Sequence, residues 1–185
     1  MMNLKNESII FLISFLLCAS CGQDKPTTIN VDEISVLEIN YETKLSEIRE
    51  LFGEPLSQKR YEDIDGSVTD EPDIYNYLNY KGIEIQFVKY GYSDITLIEN
   101  IEIKSNQYPV FIGKKSLRIG ENCNKIESIL PYEYKKFSEL HYELKPDEKY
   151  QIIGGNITKG KLEPSNIVFD IKNGKIIQIS ISFPL

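Results

Sequence analysis

The sequence has no tryptophan, one histidine and three cysteines among its 185 residues. The single histidine, His141, excludes a metal centre built from several histidine ligands. The chain also lacks the G-x-S-x-G, phosphate-loop, dinucleotide-binding and H-E-x-x-H motifs. Because these motifs are the clearest sequence signals of several enzyme classes, we expect a protein that is not an enzyme and that uses no metal ion or other cofactor.

Positive charge is also scarce. The chain has 21 Lys and Arg residues against 28 Asp and Glu residues, which gives a formal net charge of -7. Nucleic-acid binding rests on basic surfaces that neutralise phosphates, so we expect no nucleic-acid partner. The composition, with 41% hydrophobic and 26% charged residues, is that of a globular protein with a substantial core.

The N-terminal region contains a short apolar stretch, IIFLISFLL, from Ile9 to Leu17. It is too short to cross a bilayer as a mature helix but has the length of a signal-peptide core. The small residues Ala19 and Ser20 then precede Cys21. This pattern resembles the lipobox of bacterial lipoproteins, although Cys18 stands where the family usually has leucine.

The lipobox resemblance implies that residues 1–20 are a signal peptide and that Cys21 is acylated. It places the protein in the cell envelope, anchored by lipid to the exported side of the outer or the inner bacterial membrane. Residues 22–35 are polar and aperiodic, so residues 21–35 are predicted to be a flexible tether. A redox or zinc C-x-x-C motif would instead need a folded context or a second ligand pair, which the hydrophobic flank does not provide.

An amphipathic helix is predicted in YETKLSEIRELFGEP. Thr43 is a candidate N-cap, Gly53 suits the position past the helix end, and Pro55 prevents continuation. The apolar residues at helical spacing are Leu45, Ile48, Leu51 and Phe52. Strands are predicted to follow at Ile74 to Tyr80, Ile83 to Val88 and Ile95 to Ile103.

Shifting the sequence by 78 positions matches the helix and the last strand of this unit to a second one. The matching positions are Leu45, Ile48, Leu51, Phe52, Ile98, Ile101 and Ile103 with Cys123, Ile126, Ile129, Leu130, Ile176, Ile179 and Ile181. Strands of the second unit are predicted at Tyr150 to Ile157, Asn166 to Ile171 and Lys175 to Phe183. We therefore predict two repeats, residues 36–104 and 105–185.

The stretch TKLSEIRELFGEP resembles the T-x-x-E-V-x-x-x-L-G-x-P signature of the BamE family of outer-membrane assembly lipoproteins. YNYLNY and IEIQF continue the likeness. Tandem copies are similar to the β-lactamase-inhibitor-protein branch of that superfamily, whose concave sheet grips a partner. The resemblance implies an α+β fold of two repeats, each a helix on a three-stranded antiparallel meander.

Two candidates for chemistry have simpler explanations. Cys123 and His141 could form a nucleophilic pair, but Cys123 takes the apolar helix position of Leu45, where a buried thiol is inert. His141 lies four residues after Phe137 and three before Leu144, which is typical of a half-buried structural histidine.

The loop YEDIDGSVTDEPD is acidic and partly fits a calcium-binding loop. With Gly66 at the invariant glycine, Asp63 and Asp65 take ligand positions, but Tyr61 and Pro72 stand at the first and last positions. We therefore predict a solvated acidic loop without a metal ion.

The tyrosines of YNYLNY are predicted to divide between two faces of a strand. The pleat sends Tyr75 and Tyr77 to one face and Leu78 and Tyr80 to the other. Tyrosine favours interfaces, although a chain with 12 tyrosines can also use them simply as half-buried strand residues. If the helix covers the second face, the predicted partner-binding surface consists of Tyr75, Tyr77, Asp63, Asp65 and Asp70.

The leading functional hypothesis is a membrane-anchored lipoprotein that binds a basic protein partner or assists assembly. An inhibitor or immunity protein that caps an enzyme or toxin is the alternative. A carboxylate-based hydrolase stays open as a third class, because 28 acidic residues without geometry neither support it nor exclude it.

Overall fold

The computed structural model of the chain describes residues 25–64, 70–159 and 165–184. Its regular structure is mostly β. The first six strands are β1 (Thr28–Asn30), β2 (Ile34–Val36), β3 (Ser57–Asp63), β4 (Asp73–Tyr80), β5 (Ile83–Lys89) and β6 (Thr96–Ile103). The other strands are β7 (Val110–Ile112), β8 (Lys115–Leu117), β9 (Lys149–Thr158), β10 (Ser165–Lys172) and β11 (Lys175–Ser182).

The helices are short. The described residues contain two 3₁₀-helices, η1 (Val31–Glu33) and η2 (Cys123–Ser128), and two α-helices, α1 (Leu45–Phe52) and α2 (Pro131–Leu140). Across residues 25–64, 70–159 and 165–184, no helix has the length and apolar character needed to span a membrane.

Eight strands form one mixed sheet in the order β1-β9-β10-β11-β6-β5-β4-β3, and β2, β7 and β8 form a second, antiparallel sheet. Two antiparallel meanders, β4-β5-β6 and β9-β10-β11, meet where β6 pairs with β11. At this junction Ile101 lies opposite Ile181 and Ile103 lies opposite Ile179. All four side chains are fully buried, so the two meanders share one core.

The predicted fold class, an α+β protein of two helix-plus-meander repeats, is wrong. The chain is mostly β, with one continuous eight-stranded sheet and an additional three-stranded sheet. The second predicted helix is instead the 3₁₀-helix η2, followed by α2. Pro131 is the first residue of α2, where the missing N–H of proline costs nothing.

Individual elements nevertheless agree with the sequence pattern. The predicted helix coincides with α1, and the six predicted strands match β4, β5, β6, β9, β10 and β11 to within one residue at every end. These segments have strong apolar periodicity. The periodicity located the elements but did not determine how many elements lie between them.

The ends of α1 differ in how well they were predicted. Gly53 adopts φ +73° after the helix, as expected for a glycine at that position. Thr43 is not the cap, because its hydroxyl accepts a hydrogen bond from the Asn40 N–H (2.9 Å). At the helix start, the Glu47 carboxylate accepts from the Lys44 N–H at 2.7 Å.

The core lies on one face of the large sheet. α1 contributes the fully buried Ile48, and its Phe52 ring lies 5.1 Å from the Tyr80 ring of β4. The small sheet contributes Val36 and Val110 to the same cluster. The large sheet supplies a row of fully buried isoleucines, Ile85, Ile101, Ile103, Ile167, Ile179 and Ile181. We call the opposite side of the large sheet, which points away from this cluster, the open face.

The predicted tether is part of the fold from Thr27 onward. Residues Thr28–Asn30 pair in parallel with β9, and Val31 and Ile34 are fully buried. The Glu133 carboxylate accepts hydrogen bonds from the Thr27 N–H (2.8 Å) and the Thr27 hydroxyl (2.7 Å). The tether prediction therefore extended too far toward residue 35. The residues around Val31 and Ile34 are polar, so the sequence pattern did not indicate that these two side chains are buried in the core. Cys21 lies outside the described residues.

Candidate functional site

The open face of the first meander carries a row of large side chains. Tyr61 of β3 lies opposite Tyr75 of β4, Tyr75 opposite Val88 of β5, and Val88 opposite Leu97 of β6. The Tyr61 and Tyr75 rings are 6.0 Å apart between centroids. Val88 is fully buried although it faces away from the core. In the same row Tyr75 and Leu97 are half-buried, and Tyr61 is exposed.

The predicted orientation of the YNYLNY residues is confirmed. Leu78 and Tyr80 are buried in the core, with 0% and 5% of their surface exposed. Tyr75 and Tyr77 are half-buried on the open face, where the pleat places them. The role of Tyr75 and Tyr77 in partner binding stays a prediction.

Two further tyrosines, which the sequence pattern did not select, lie at the end of the same meander. The Tyr90 and Tyr92 rings stack with centroids 5.3 Å apart and planes 10° apart. Asp73, only 4% exposed, fixes their loop because its Oδ1 accepts a hydrogen bond from the Gly91 N–H (2.9 Å). We refer to Tyr61, Tyr75, Tyr77, Tyr90 and Tyr92 together as the tyrosine surface.

A β-bulge places a carboxylate among these rings. Gln86 pairs with Asn100 and Phe87 pairs with Ile98, so Glu99 is an extra residue in β6. Bulges of this kind re-aim a side chain. The Gln86 side-chain amide donates a hydrogen bond to the Glu99 carboxylate. Glu99 thus lies on the open face, half-buried and oriented by its neighbour.

Burial controls the electrostatics of this cluster. Burial raises the pKa of the Glu99 carboxyl, and the hydrogen bond from Gln86 partly opposes this. Burial, followed by the negative charge of Glu99, also raises the pKa of the Tyr75, Tyr77 and Tyr90 hydroxyls. The three phenols are therefore protonated at neutral pH.

The end of the meander is also apolar and acidic. Ile64, Tyr92 and Ile95 are 63%, 63% and 64% exposed, an unusual concentration of exposed apolar side chains. Asp63 ends β3 opposite Asp73, and Asp70 lies exposed before β4. The structure therefore brings Asp63 and Asp70 to the same end of the sheet as Tyr90 and Tyr92. Asp65, the third predicted acidic residue, lies outside the described residues.

The second meander presents a different open face. Its residues there are mostly small, polar or aliphatic, with Ile153 opposite Val168, and several polar side chains bond to each other. The Gln151 amide donates to Asp170 Oδ1 at 2.7 Å, and the Gln178 amide donates to the Ser180 hydroxyl at 3.3 Å. At the junction, the Ser182 hydroxyl donates to Asn100 Oδ1 at 3.4 Å.

Cys123 and His141 have separate structural surroundings. Cys123 is 5% exposed, and burial raises the pKa of its thiol, which keeps it protonated and unreactive. His141 packs against the Phe137 ring (5.1 Å) and the Tyr150 ring (4.8 Å). Both residues thus have the packing roles that the sequence pattern favours.

No set of three or more His, Cys, Asp or Glu side chains is arranged to hold a metal ion within the part of the chain that the structure describes. No model of a protein family, no curated protein and no solved structure matches the chain. The resemblance to the BamE family therefore stays a prediction, and the functional argument rests on the tyrosine surface.

Proposed function

We propose that this protein is a lipid-anchored binding protein of the bacterial cell envelope that holds a protein partner on the tyrosine surface. The observation that carries the proposal is the concentration of five tyrosines and a half-buried carboxylate on the sheet face that points away from the core and in the loop at its end. The fold needs its isoleucine face for stability. The composition of the open face is free of that requirement and can serve recognition.

The chemistry of the tyrosine surface suits a protein partner. Tyrosine rings provide a large contact area at a low cost in conformational entropy, and their hydroxyls pair with polar groups. The exposed Ile64 and Ile95 lie at the same end of the sheet and extend the apolar area. A central group of aromatic side chains within a polar border is the usual arrangement of an interface with strong binding residues.

The charge of this region favours a basic partner. Glu84 lies on the open face with Glu99, and Asp63, Asp70 and Asp94 lie at its end. Together with the net charge of -7, these groups steer a positively charged partner toward the surface.

The proposed anchor is Cys21, as the lipobox resemblance implies. Thr27, six positions later, is already fixed to the domain by its two hydrogen bonds to Glu133. Six residues reach at most about 20 Å when fully extended. An acylated Cys21 would therefore hold the domain next to the membrane surface and restrict the partners it meets to those of the envelope.

Capture of the partner tests the proposed surface. The full-length lipidated protein is crosslinked in its own envelope, purified and compared with the double variant Tyr75→Ala, Tyr77→Ala. We expect capture of the partner to fall about tenfold or more, because truncating central tyrosines removes strong interface contacts. The matched control is Ser180→Ala with Ser182→Ala on the open face of the second meander, which should capture as well as the unchanged chain.

The anchor is tested separately. Cys21→Ser should abolish metabolic labelling with fatty acid and leave a precursor of full length. Normal processing of this variant would contradict the proposed lipidation. Equal capture by the tyrosine variant and the serine control, with both folded, would contradict the proposed surface.

A further inference from the structure

Glu99 is not explained by the needs of the fold. β11 contains a bulge of the same kind, where Asp170 pairs with Gln178 and Ile171 pairs with Ile176, so that Ile177 is the extra residue. An isoleucine thus serves at that bulge position. An acid at the corresponding position of β6 has an unfavourable free energy of desolvation, which no gain in packing offsets.

The charge of Glu99 is also not neutralised by the described part of the chain. Its carboxylate Oε2 accepts from the Gln86 amide, which is uncharged. Two lysines of these strands are paired with other acids, Lys104 with Glu102 and Lys89 with Asp94. A half-buried carboxylate with one neutral hydrogen-bond donor retains acceptor capacity for a further donor.

The groups around Glu99 are those that bind organic cations. We propose that Glu99 and the tyrosine rings around it form a receptor for one cationic side chain of the protein partner, an arginine guanidinium or a lysine ammonium. The inference rests on the proposed function and names the chemistry of the same surface. The rings are those of Tyr75, Tyr77 and Tyr90.

Both components of this receptor attract such a group. The carboxylate forms charge-assisted hydrogen bonds, which are stronger where water is partly excluded. The faces of tyrosine rings attract cations placed over them. A metal ion is a poor occupant, because no group of three or more His, Cys, Asp or Glu side chains that could hold one is found among the described residues.

A small-molecule titration tests the receptor without knowledge of the partner. The probes are N-acetyl-arginine amide and N-acetyl-lysine amide, with N-acetyl-citrulline amide as the neutral isostere of the arginine probe. The chain has no tryptophan, so its fluorescence comes from its 12 tyrosines, of which Tyr75, Tyr77 and Tyr90 surround Glu99. We expect a saturable change with the two cations and none with the citrulline probe at the same concentration.

Two matched variants assign the effect to Glu99. Glu99→Gln keeps an oxygen that can accept from Gln86 and should weaken binding of the arginine probe about tenfold or more. Glu102→Gln lies on the same strand and face but removes a carboxylate that is already paired with Lys104, so it should leave probe binding unchanged. Equal binding of the arginine and citrulline probes, or full binding by folded Glu99→Gln, would overturn the receptor.

Partner capture separates this inference from the proposed function. If Glu99→Gln captures the partner as well as the unchanged chain while the Tyr75→Ala, Tyr77→Ala variant loses it, the cation receptor is wrong and the binding surface stands. If Glu99→Gln loses both the arginine probe and the partner, the receptor is supported. Retained capture by both variants would overturn the receptor together with the surface.

Discussion

The two meanders of the large sheet have similar core faces and different open faces. Both bury isoleucines against the helices and the small sheet, and the buried rows join between β6 and β11. On the open face, β4 carries Tyr75 and Tyr77, whereas β11 carries Ser180 and Ser182. Since both halves contribute buried isoleucines to the same core, this difference between the open faces is the reason for placing the proposed binding surface on the first meander.

The two meanders also differ in the residue that each displays at its β-bulge. Each bulge lies in the last strand of its meander, and the extra residues, Glu99 and Ile177, are 78 positions apart in sequence. Both meanders have the β-bulge, but only in the first does the extra residue carry a carboxylate. The second meander has a different specialisation, because it receives β1 at its edge and the clamp between Glu133 and Thr27.

The largest effect on stability is expected from a substitution that disrupts the contact between Glu133 and Thr27. A Cβ atom at Gly154 would lie 2.0 Å from Glu133 Cγ, so Gly154→Ala must displace the side chain that holds Thr27. We expect a loss of about 2 to 4 kcal/mol in the free energy of unfolding, from overpacking and from lost hydrogen bonds. Denaturant unfolding measures it.

The neighbouring residue provides the control for Gly154. Ile153 is 56% exposed, and Ile153→Ala should change stability by no more than about 0.5 kcal/mol. An unchanged unfolding midpoint for Gly154→Ala would show that the contact of Glu133 with this strand does not stabilise the domain.

A smaller effect is expected at the loop that carries Tyr90 and Tyr92. Asp73→Ala removes the acceptor of the Gly91 N–H and should cost about 1 to 2 kcal/mol, because the donor is left without its partner. It should also weaken partner capture, since the stacked rings lose their fixed position. Asp73→Asn keeps a side-chain oxygen and should preserve most of both properties.

Hydrogen exchange reports on this loop directly. The Gly91 amide should exchange faster in Asp73→Ala than in Asp73→Asn. Slow exchange in both variants would mean that the loop is held by contacts other than the hydrogen bond to Asp73.

Sequence periodicity predicted the location of elements better than their arrangement. The isoleucine-rich strands β6, β10 and β11 were located correctly because buried apolar residues alternate with polar ones along their sequences. The strands of the small sheet have only three residues each, too few for a periodic signal, and β3 has almost no buried residue. The missing strands are those whose pairing depends on contacts distant in sequence.

The candidate site was predicted in part for the same reason. The pleat alone assigned Tyr75 and Tyr77 to the open face. Glu99 was missed, although the sequence contains a signal for it: Ile98 and Ile101 are three positions apart within a strand, which indicates an extra residue between them. Tyr90 and Tyr92 had no such signal, because the contact of Asp73 with Gly91 joins two separate turns of the chain.

The smallest expected effect sharpens the comparison between Glu99 and Ile177. The raised pKa of Glu99 means that the folded state holds the proton more tightly than the unfolded state, in which the carboxyl has its ordinary value near 4.5. Glu99 therefore adds no penalty at pH values below that ordinary value. Its ionisation costs stability progressively as the pH rises from there through the raised pKa of the folded state.

Glu99→Gln should remove this penalty. At neutral pH we expect the Tm to rise by about 1 to 3 °C, a modest shift because solvent screens a half-buried group. The difference from the unchanged chain should shrink as the pH falls and vanish below the ordinary pKa of glutamate. Thermal melts of the two proteins across this range measure it, and Glu102→Gln, which loses the ion pair with Lys104, should show no rise.

A variant that is more stable but binds the arginine probe less well would mean that Glu99 is retained for binding at a cost to folding. If Glu99→Gln is instead less stable at every pH, the carboxylate supports the bulge itself, and the comparison with Ile177 fails.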